Sequence, residues 1–391
     1  MSRPTIVLTG GGSGGHITPI LAVADELKRL RPEVRLVYIG QTGDLLGDIP
    51  RQHPSIDAVF TVRTGKFRRY HGEGFKQLLD VVTMAKNIRD FFYAIIGFWQ
   101  SRRLLKQLQP VIIFVKGGFV GVPVGLAAAT RHIPFITHDS DPIPGLANRI
   151  IARWAVIHAV ALPKDIYPYP ADKTVTTGIP LQKKFVPVTP QLRGDYRRQL
   201  GIPGVAKVLF IIGGGLGAQR VNAAVADVVP HLLHEYKDLW VVHGVGRANE
   251  EAMVATYNQL LTPEEQGRLQ LFGYANDVYR YSGAADVIIT RAGATNLAEF
   301  AVQGKACIVI PSAVLTGGHQ LKNAQYLADH GAALVIDETE LVADPNRLAK
   351  QVSNLLKDPQ HIVKLGEALA EFAKPDAARD LAKLIAERAT A

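Results

Sequence analysis

Short apolar runs alternate with longer stretches of helical spacing along most of the chain. In the first half, residues 5–9, 34–40, 111–116 and 135–138 read as strands, while residues 16–30 and the stretch after Pro123 carry the three- and four-residue apolar spacing of helices. This β/α alternation predicts a parallel sheet covered on both faces. Pro180, Pro187 and Pro190 interrupt the pattern, so residues 186–190 read as a linker. The alternation then restarts, with strands at 208–212, 239–245, 269–272, 287–290, 306–311 and 333–336 and helices from Gln219, Asn296 and Gln320. Residues 346–390 close the chain with a helical pattern that Pro359 and Pro375 break into pieces.

Two glycine-rich turns fall at equivalent places in the two halves. Gly10-Gly11-Gly12-Ser13-Gly14-Gly15 follows the first apolar run, Gly213-Gly214-Gly215-Leu216-Gly217 follows the run ending at Ile212, and each opens a helical pattern. Each therefore looks like the first βα turn of its own doubly wound domain. The expected fold class is α/β: two Rossmann-like, doubly wound parallel-sheet domains facing across a cleft. The expected divisions are an N-terminal domain over 1–185, a second domain over 186–362, and a helical segment over 363–391 free to pack back on the first. Either turn alone is a weak sign of a ligand, because tight βα packing also calls for glycine.

Composition narrows the class. With 391 residues, 47% of them hydrophobic and 20% charged, the chain suits two globular domains and is neither disordered nor fibrous. The single cysteine, Cys307, excludes an intrachain disulfide framework, and its apolar surroundings read as a buried strand in a reducing compartment. Residues 1–5 lead straight into a strand without a secretory pattern, so a cytoplasmic protein is expected.

The formal charge of +9 favours an acidic partner, either nucleic acid or an anionic membrane surface. The excess gathers between positions 63 and 106, where Arg63, Lys66, Arg68, Arg69, Lys76, Lys86, Arg89, Arg102, Arg103 and Lys106 interleave with aromatic and aliphatic residues such as Phe67, Tyr70, Phe75, Phe91, Phe92 and Trp99. The apolar stretch 91–99 falls far short of the ~20 residues that span a bilayer. Two readings remain for this segment: a basic amphipathic helix that docks on a membrane, or a core helix with a solvated basic face. Aromatic side chains among cations also stack single-stranded bases, but no nucleic-acid motif accompanies them, so no nucleic-acid partner is expected.

Three segments carry candidate chemistry. His16 ends the first glycine turn at the mouth of the sheet, where a near-neutral imidazole suits a general base; a simple polar cap is the plainer reading. Residues 290–299 run from a strand into a helix whose N-terminal amides could hold a diphosphate, with Glu299 accepting from ribose hydroxyls. Asn296 and Glu299 also have the spacing of a capping box, which needs no ligand. The loop His138-Asp-Ser-Asp-Pro-Ile-Pro-Gly145 holds two carboxylates, Asp139 and Asp141, suited to acid/base work, with too few oxygen ligands to expect a metal.

In this order, the segments resemble the MurG family of GT-B-fold glycosyltransferases, which move N-acetylglucosamine from UDP-GlcNAc onto undecaprenyl-diphosphoryl-MurNAc-pentapeptide in peptidoglycan synthesis. Gly11-Gly-Ser-Gly-Gly-His-Ile-Thr-Pro19 is similar to the family's GGTGGHxxP turn, Lys116-Gly-Gly-Phe-Val-Gly-Val-Pro123 to its GGYxxxP loop, and His138 to Arg149 to its HEQNxxxGxxNR segment. Thr177-Gly-Ile-Pro180 is similar to TGNP and Gly213-Gly-Gly-Leu-Gly-Ala218 to GGSQGA. Arg291-Ala-Gly-Ala294 with Glu299, then His319-Gln-Leu-Lys-Asn-Ala324, follow its donor-site pattern. The resemblance spans nearly the whole chain.

The resemblance implies a UDP-GlcNAc site formed by Ser13, Gly14, Gly15, Ala294, Thr295, Asn296, Leu297, Ala298, Glu299 on the ribose, and Gln320 on the sugar hydroxyls. Tyr274 would flank the uracil, and Ala275 would offer its backbone to the base. Asp141, Gln182 and Gly215 occupy donor-contact positions with changed side chains, replacing an Asn, an Arg and a Ser. The lost guanidinium and hydroxyl are worth roughly 1.5–3 and about 1 kcal/mol, with Arg291 and Lys322 as the cations placed to compensate. The implied reaction is an inverting single displacement with His16, Asp139 or Asp141 as base and no cofactor or metal. The acceptor would be a polyprenyl-diphosphate-linked sugar, and the basic segment would dock on the anionic inner leaflet, making the protein peripheral at the cytoplasmic face. The alternatives are a relative with another lipid acceptor, a UDP-GlcNAc 2-epimerase, and a non-catalytic UDP-sugar-binding scaffold.

Overall fold

The computed structural model describes residues 3–12, 14–44, 46–65, 81–214, 217–312, 318–344 and 346–389. The chain divides into two units, Met1–Lys183 together with Lys374–Ala391, and Lys184–Ala373. Both are α/β with a doubly wound parallel sheet, as the alternation predicts.

The first unit is built on β1 (Thr5–Thr9), β2 (Arg35–Gln41), β3 (Ala58–Val62), β4 (Ile112–Val115), β5 (Phe135–Asp139), β6 (Ile157–Val160) and β7 (Thr174–Thr176). Their order across the sheet is β3-β2-β1-β4-β5-β6-β7. Winding reverses between β1 and β4, and the register pairs Thr9 with Val115, so the first glycine turn and Lys116 leave the sheet side by side. The Lys116 amide donates to the Thr9 carbonyl at 2.9 Å. One face of this sheet buries Ile20, Val23 and Leu27 of the Gly14–Leu30 helix together with Leu381 and Ile385 of the Ala377–Arg388 helix. The other face buries Val120 and Val124 against Ile113, Val115 and Phe135.

The second unit carries β8 (Lys207–Ile212), β9 (Leu239–Gly244), β10 (Leu269–Phe272), β11 (Val287–Thr290), β12 (Ala306–Val309) and β13 (Leu334–Val335), ordered β10-β9-β8-β11-β12-β13. Side chains along β8 alternate between two cores, as strand geometry requires. Leu209 and Ile211 pack with Val221 and Val225 of the Gln219–Glu235 helix, while Val208, Phe210 and Ile212 pack with Leu297 and Phe300 of the Ala294–Val302 helix. Winding reverses between β8 and β11, where Ile212 pairs with Thr290. Crevices at the carboxyl ends of strands at such reversals are where open α/β sheets bind ligands.

The linker reading of residues 186–190 needs one correction. Thr189 caps a helix, Pro190–Gln199, by accepting from the Leu192 amide at 3.2 Å, and Pro190 opens its first turn. A proline there helps the helix start, because its missing N–H would have had no partner.

Candidate active site

In the first unit the chemistry gathers at the carboxyl ends of β1, β4 and β5. The glycine turn and the loop after β4 are pressed together: a Cβ on Gly12 (φ +88°) would fall 2.6 Å from the Phe119 ring, and one on Gly118 (φ +77°) would fall 2.6 Å from the Gly11 carbonyl. Only glycine meets both the backbone angle and the space. Gly14 and Gly15 begin the following helix and His16 lies half-buried in its first turn. Burial and the Lys116 ammonium hold the imidazole down at about 4, so His16 is neutral at physiological pH, lower than the near-neutral value its position suggests.

Lys116 is 3% exposed and donates to Ser140 Oγ at 2.5 Å. Burial lowers it to about 8, against the opposing pull of Asp139 and Asp141. As a source of charge beside His16 it is a residue that the sequence reading left inside a motif without a role. The one signal for it was a lysine ending an apolar run just before Gly117-Gly118.

The loop after β5 is anchored by its own first carboxylate. Asp139 accepts from the Gly145 amide at 3.1 Å and the Tyr169 hydroxyl at 2.8 Å. Burial pushes its carboxyl up, against the pull of these donors. Both oxygens are thus engaged in holding the loop. His138 Nε2 donates to the Gly178 carbonyl at 2.8 Å, and Asn148 Nδ2 donates to the His138 carbonyl at 2.9 Å. Asp141, two residues beyond Asp139, is half-buried, as is Gln182 near the end of the unit.

In the second unit the Ala294–Val302 helix starts at Gly293 without any side-chain cap. Asn296 lies inside the helix, so the capping box suggested by its spacing from Glu299 does not form, and the first turn of the helix opens at the winding reversal between β8 and β11. Leu297 is buried in the core and Ala298 half-buried. Glu299, one turn in, is half-buried, and burial pushes its carboxyl up to about 8. Arg291 is not the free cation that its position suggested: Nη2 meets Glu338 at 2.6 Å and Nη1 donates to the Ile310 carbonyl at 3.2 Å.

Gln320, in the His319–Asp329 helix, accepts from the Ser312 amide at 2.9 Å through Oε1, which fixes the side chain while its amide nitrogen keeps its donors. Tyr274 is 40% exposed in the loop after β10, with the Arg247 guanidinium 4.3 Å from its ring centroid, and Ala275 follows it half-buried. Ser13 and Gly215, both expected donor contacts, lie outside the described residues.

The helix Val81–Leu108 packs Phe98, Leu104, Leu105 and Leu108 into the core near its C-terminal end but exposes an apolar face along the rest. Met84, Ile88, Phe91, Phe92, Ile95 and Trp99 form an exposed apolar stripe, with Phe92 58% and Trp99 62% accessible. Thr83, Asp90, Gly97 and Ser101 face inward instead. A Cβ on Gly97 would run into the Arg63 carbonyl, so the chain before the helix packs directly on its backbone. This rules out the core-helix reading for the stripe. The more N-terminal part of the basic segment, with Lys66, Phe67, Arg68, Arg69, Tyr70, Phe75 and Lys76, lies outside the described residues. Among the described residues no helix is long and apolar enough to cross a membrane.

Comparison with known proteins places this geometry. Residues 6–159 match the Glycosyltransferase family 28 N-terminal domain and residues 208–381 the Glycosyltransferase family 28 C-terminal domain. The chain belongs to glycosyltransferase family 28. Among its relatives, this family 28 chain is 31% identical over 381 residues, 97% of its length and 98% of the relative's, to a protein of Natranaerobius thermophilus named UDP-N-acetylglucosamine--N-acetylmuramyl-(pentapeptide) pyrophosphoryl-undecaprenol N-acetylglucosamine transferase. A protein of the same name from Geobacter metallireducens is 31% identical over 96% of both chains.

Among solved structures, Acinetobacter baumannii MurG superposes with a TM-score of 0.70 at 25% identity, over 98% of this chain and 99% of the other. A UDP-GlcNAc 2-epimerase from Neisseria meningitidis shares the fold, with a TM-score of 0.65 at 11% identity over 98% and 100% of the two chains. The family 28 enzyme is therefore a glycosyltransferase of the MurG type.

Proposed function

We propose that this enzyme transfers N-acetylglucosamine from UDP-GlcNAc to undecaprenyl-diphosphoryl-MurNAc-pentapeptide, the step that completes the lipid-linked peptidoglycan precursor, at the cytoplasmic face of the membrane. The observation that carries the reading is the 31% identity, running through both units, to transferases named for that reaction. The epimerase alternative has only a shared fold behind it. In the second unit, the amides of Ala294, Thr295 and Asn296 with the following Leu297 and Ala298 hold the diphosphate. Glu299 accepts from the ribose, Tyr274 and Ala275 hold the uracil, and Gln320 meets the sugar. Ser13, Gly14, Gly15, Asp141, Gln182 and Gly215 complete the donor contacts by likeness of position.

In the reaction the acceptor hydroxyl attacks the anomeric carbon as its proton passes to a base and UDP leaves with the glycosidic electron pair. Configuration inverts and no covalent sugar intermediate forms. His16 is the first candidate for the base, with Asp141 the alternative, whereas both Asp139 oxygens are engaged in holding the loop. Charge gathering on the leaving diphosphate is met by the uncapped helix N-terminus at Ala294. The apolar stripe of the Val81–Leu108 helix, with Lys86, Arg89, Arg102 and Arg103 on the same helix, docks on the anionic leaflet that carries the acceptor.

The test is UDP release from UDP-GlcNAc with and without a lipid-linked MurNAc-pentapeptide analogue in detergent. Release should require the lipid, and His16→Ala should lower kcat about 10²- to 10⁴-fold, the usual contribution of a general base. Glu299→Ala should raise the donor KM. Donor binding without turnover on any acceptor would leave a scaffold, and turnover without lipid would indicate an epimerase.

A further inference from the structure

A single buried carboxylate ties together several loops at the carboxyl edge of the second sheet. Glu338 opens the Glu338–Ala343 helix after β13 and is 4% exposed. One of its oxygens lies 2.6 Å from Arg291, in the turn after β11, and the other 3.4 Å from Arg220, in the first turn of the Gln219–Glu235 helix after β8. Arg291 passes the connection on to the Ile310 carbonyl beyond β12. Asn323 Nδ2 also donates to the Ala292 carbonyl at 2.9 Å, so the turn 291–293 is held at two successive residues.

Nothing in the local helix calls for this carboxylate. Asp337 and Glu340 already form a complete capping box around the Glu338–Ala343 helix start. Buried ion pairs seldom stabilise a fold more than well-packed apolar groups would, so the pair makes more sense as a device that fixes position. What it fixes is the chain entering the uncapped Ala294–Val302 helix.

We propose that Glu338 is a positioning residue of the donor site: through Arg291 and Arg220 it fixes the turn 291–293 and the start of the Gln219–Glu235 helix, so that the chain leading into the Ala294–Val302 helix stands preset for a nucleotide diphosphate. The inference rests on reading the second unit as the donor unit. A preset turn spares the ordering cost at the moment of binding, so loss of Glu338 weakens binding of the diphosphate and leaves the nucleoside end untouched. Because the brace acts on ground state and transition state alike, it appears in donor affinity more than in kcat.

The experiment measures UDP and uridine binding to the full chain by calorimetry, for the wild type, Glu338→Gln and Arg220→Gln. Glu338→Gln should raise the UDP Kd about tenfold, the low end of what removing a supporting residue costs at a preorganised site, with the uridine Kd moving less than about twofold. Arg220→Gln, on the arm whose side chain is 65% exposed, should raise the UDP Kd about threefold, as befits a longer and more solvated pair. A merely structural role would weaken UDP and uridine equally, and that result would overturn the proposal. So would wild-type UDP affinity in both variants, or in Arg220→Gln alone if Glu338→Gln does not fold. If the wild type itself binds no UDP, the donor reading falls and this inference with it; wild-type binding with unaltered variants removes the inference alone.

Discussion

Glu299 sits one turn into the Ala294–Val302 helix, and burial raises its carboxyl from the ordinary 4.5 to about 8. The native state therefore holds a proton there that the unfolded chain gives up. Stability contributed by this group is fully present below about pH 4.5 and is lost as pH rises through about 8. Ribose hydroxyls donate hydrogen bonds best to the ionised carboxylate, so UDP binding should expel this proton, and UDP affinity should climb as pH rises toward about 8. Calorimetric UDP titrations in two buffers of different ionisation enthalpy would read the proton directly, and Glu299→Gln should abolish both the release and the pH slope. Binding of UDP by the wild type with no proton released would remove Glu299 from the ribose.

The positions of these groups were legible in the sequence, because each follows a strand that the apolar runs mark out. Their states were not. His16 owes its low value to burial and to Lys116, which lies far away along the chain, and Arg291 finds its counter-charge 47 residues downstream in Glu338. Asn296 and Glu299 share the spacing of a capping box, yet the helix begins at Ala294, and only the backbone path decides which residue is the cap.

At the scale of elements, the Val81–Leu108 helix shows where pattern reading stops. Apolar and basic residues both recur along it, so the sequence left a core helix and a membrane dock equally open. The chain at 63–65 lies on the backbone at Asp90 and Gly97 and turns the small and polar side inward there, which leaves the apolar stripe exposed. The strands that the sequence pattern does not mark are short or at the sheet's margin: β3 has two exposed positions, β6 is four residues interrupted by His158, and β7 is only Thr174, Val175 and Thr176. Such segments lack the continuous apolar run that identifies a buried parallel strand.

The stripe gives its own expectation. Ile88→Ser, Phe92→Ser and Trp99→Ser together should abolish sedimentation with anionic phospholipid vesicles, since aromatic and aliphatic side chains supply the buried area at such surfaces. The same variant should keep its UDP Kd and, because all three side chains are exposed, its thermal stability. Raised salt should weaken wild-type vesicle binding through the cations while leaving the apolar part intact. Wild-type sedimentation by the triple variant would move the docking surface elsewhere on the molecule.

At the scale of the whole molecule, the last helix belongs to the first unit although the second unit lies between them in sequence. Leu381, Ala382 and Ile385 of the Ala377–Arg388 helix are fully buried with Ile20, Val23 and Leu27, and a Cβ on Gly178 would run into Lys374. The first fold is therefore complete only once the C-terminus has been made. Leu381→Ala removes a side chain from the middle of that contact and should cost about 2–5 kcal/mol, the usual loss for truncating a buried leucine. Denaturant unfolding offers a way to see which unit bears the loss, because units with separate cores can melt separately. UDP at a hundred times its Kd should stabilise the unit that binds it by about 2.7 kcal/mol, which marks the transition of the second unit. Leu381→Ala should then lower the other transition and leave the UDP-sensitive one in place. If both transitions fell together, the energetic unit would be the whole chain, and the C-terminal helix would stabilise the donor fold as much as the fold on which it packs.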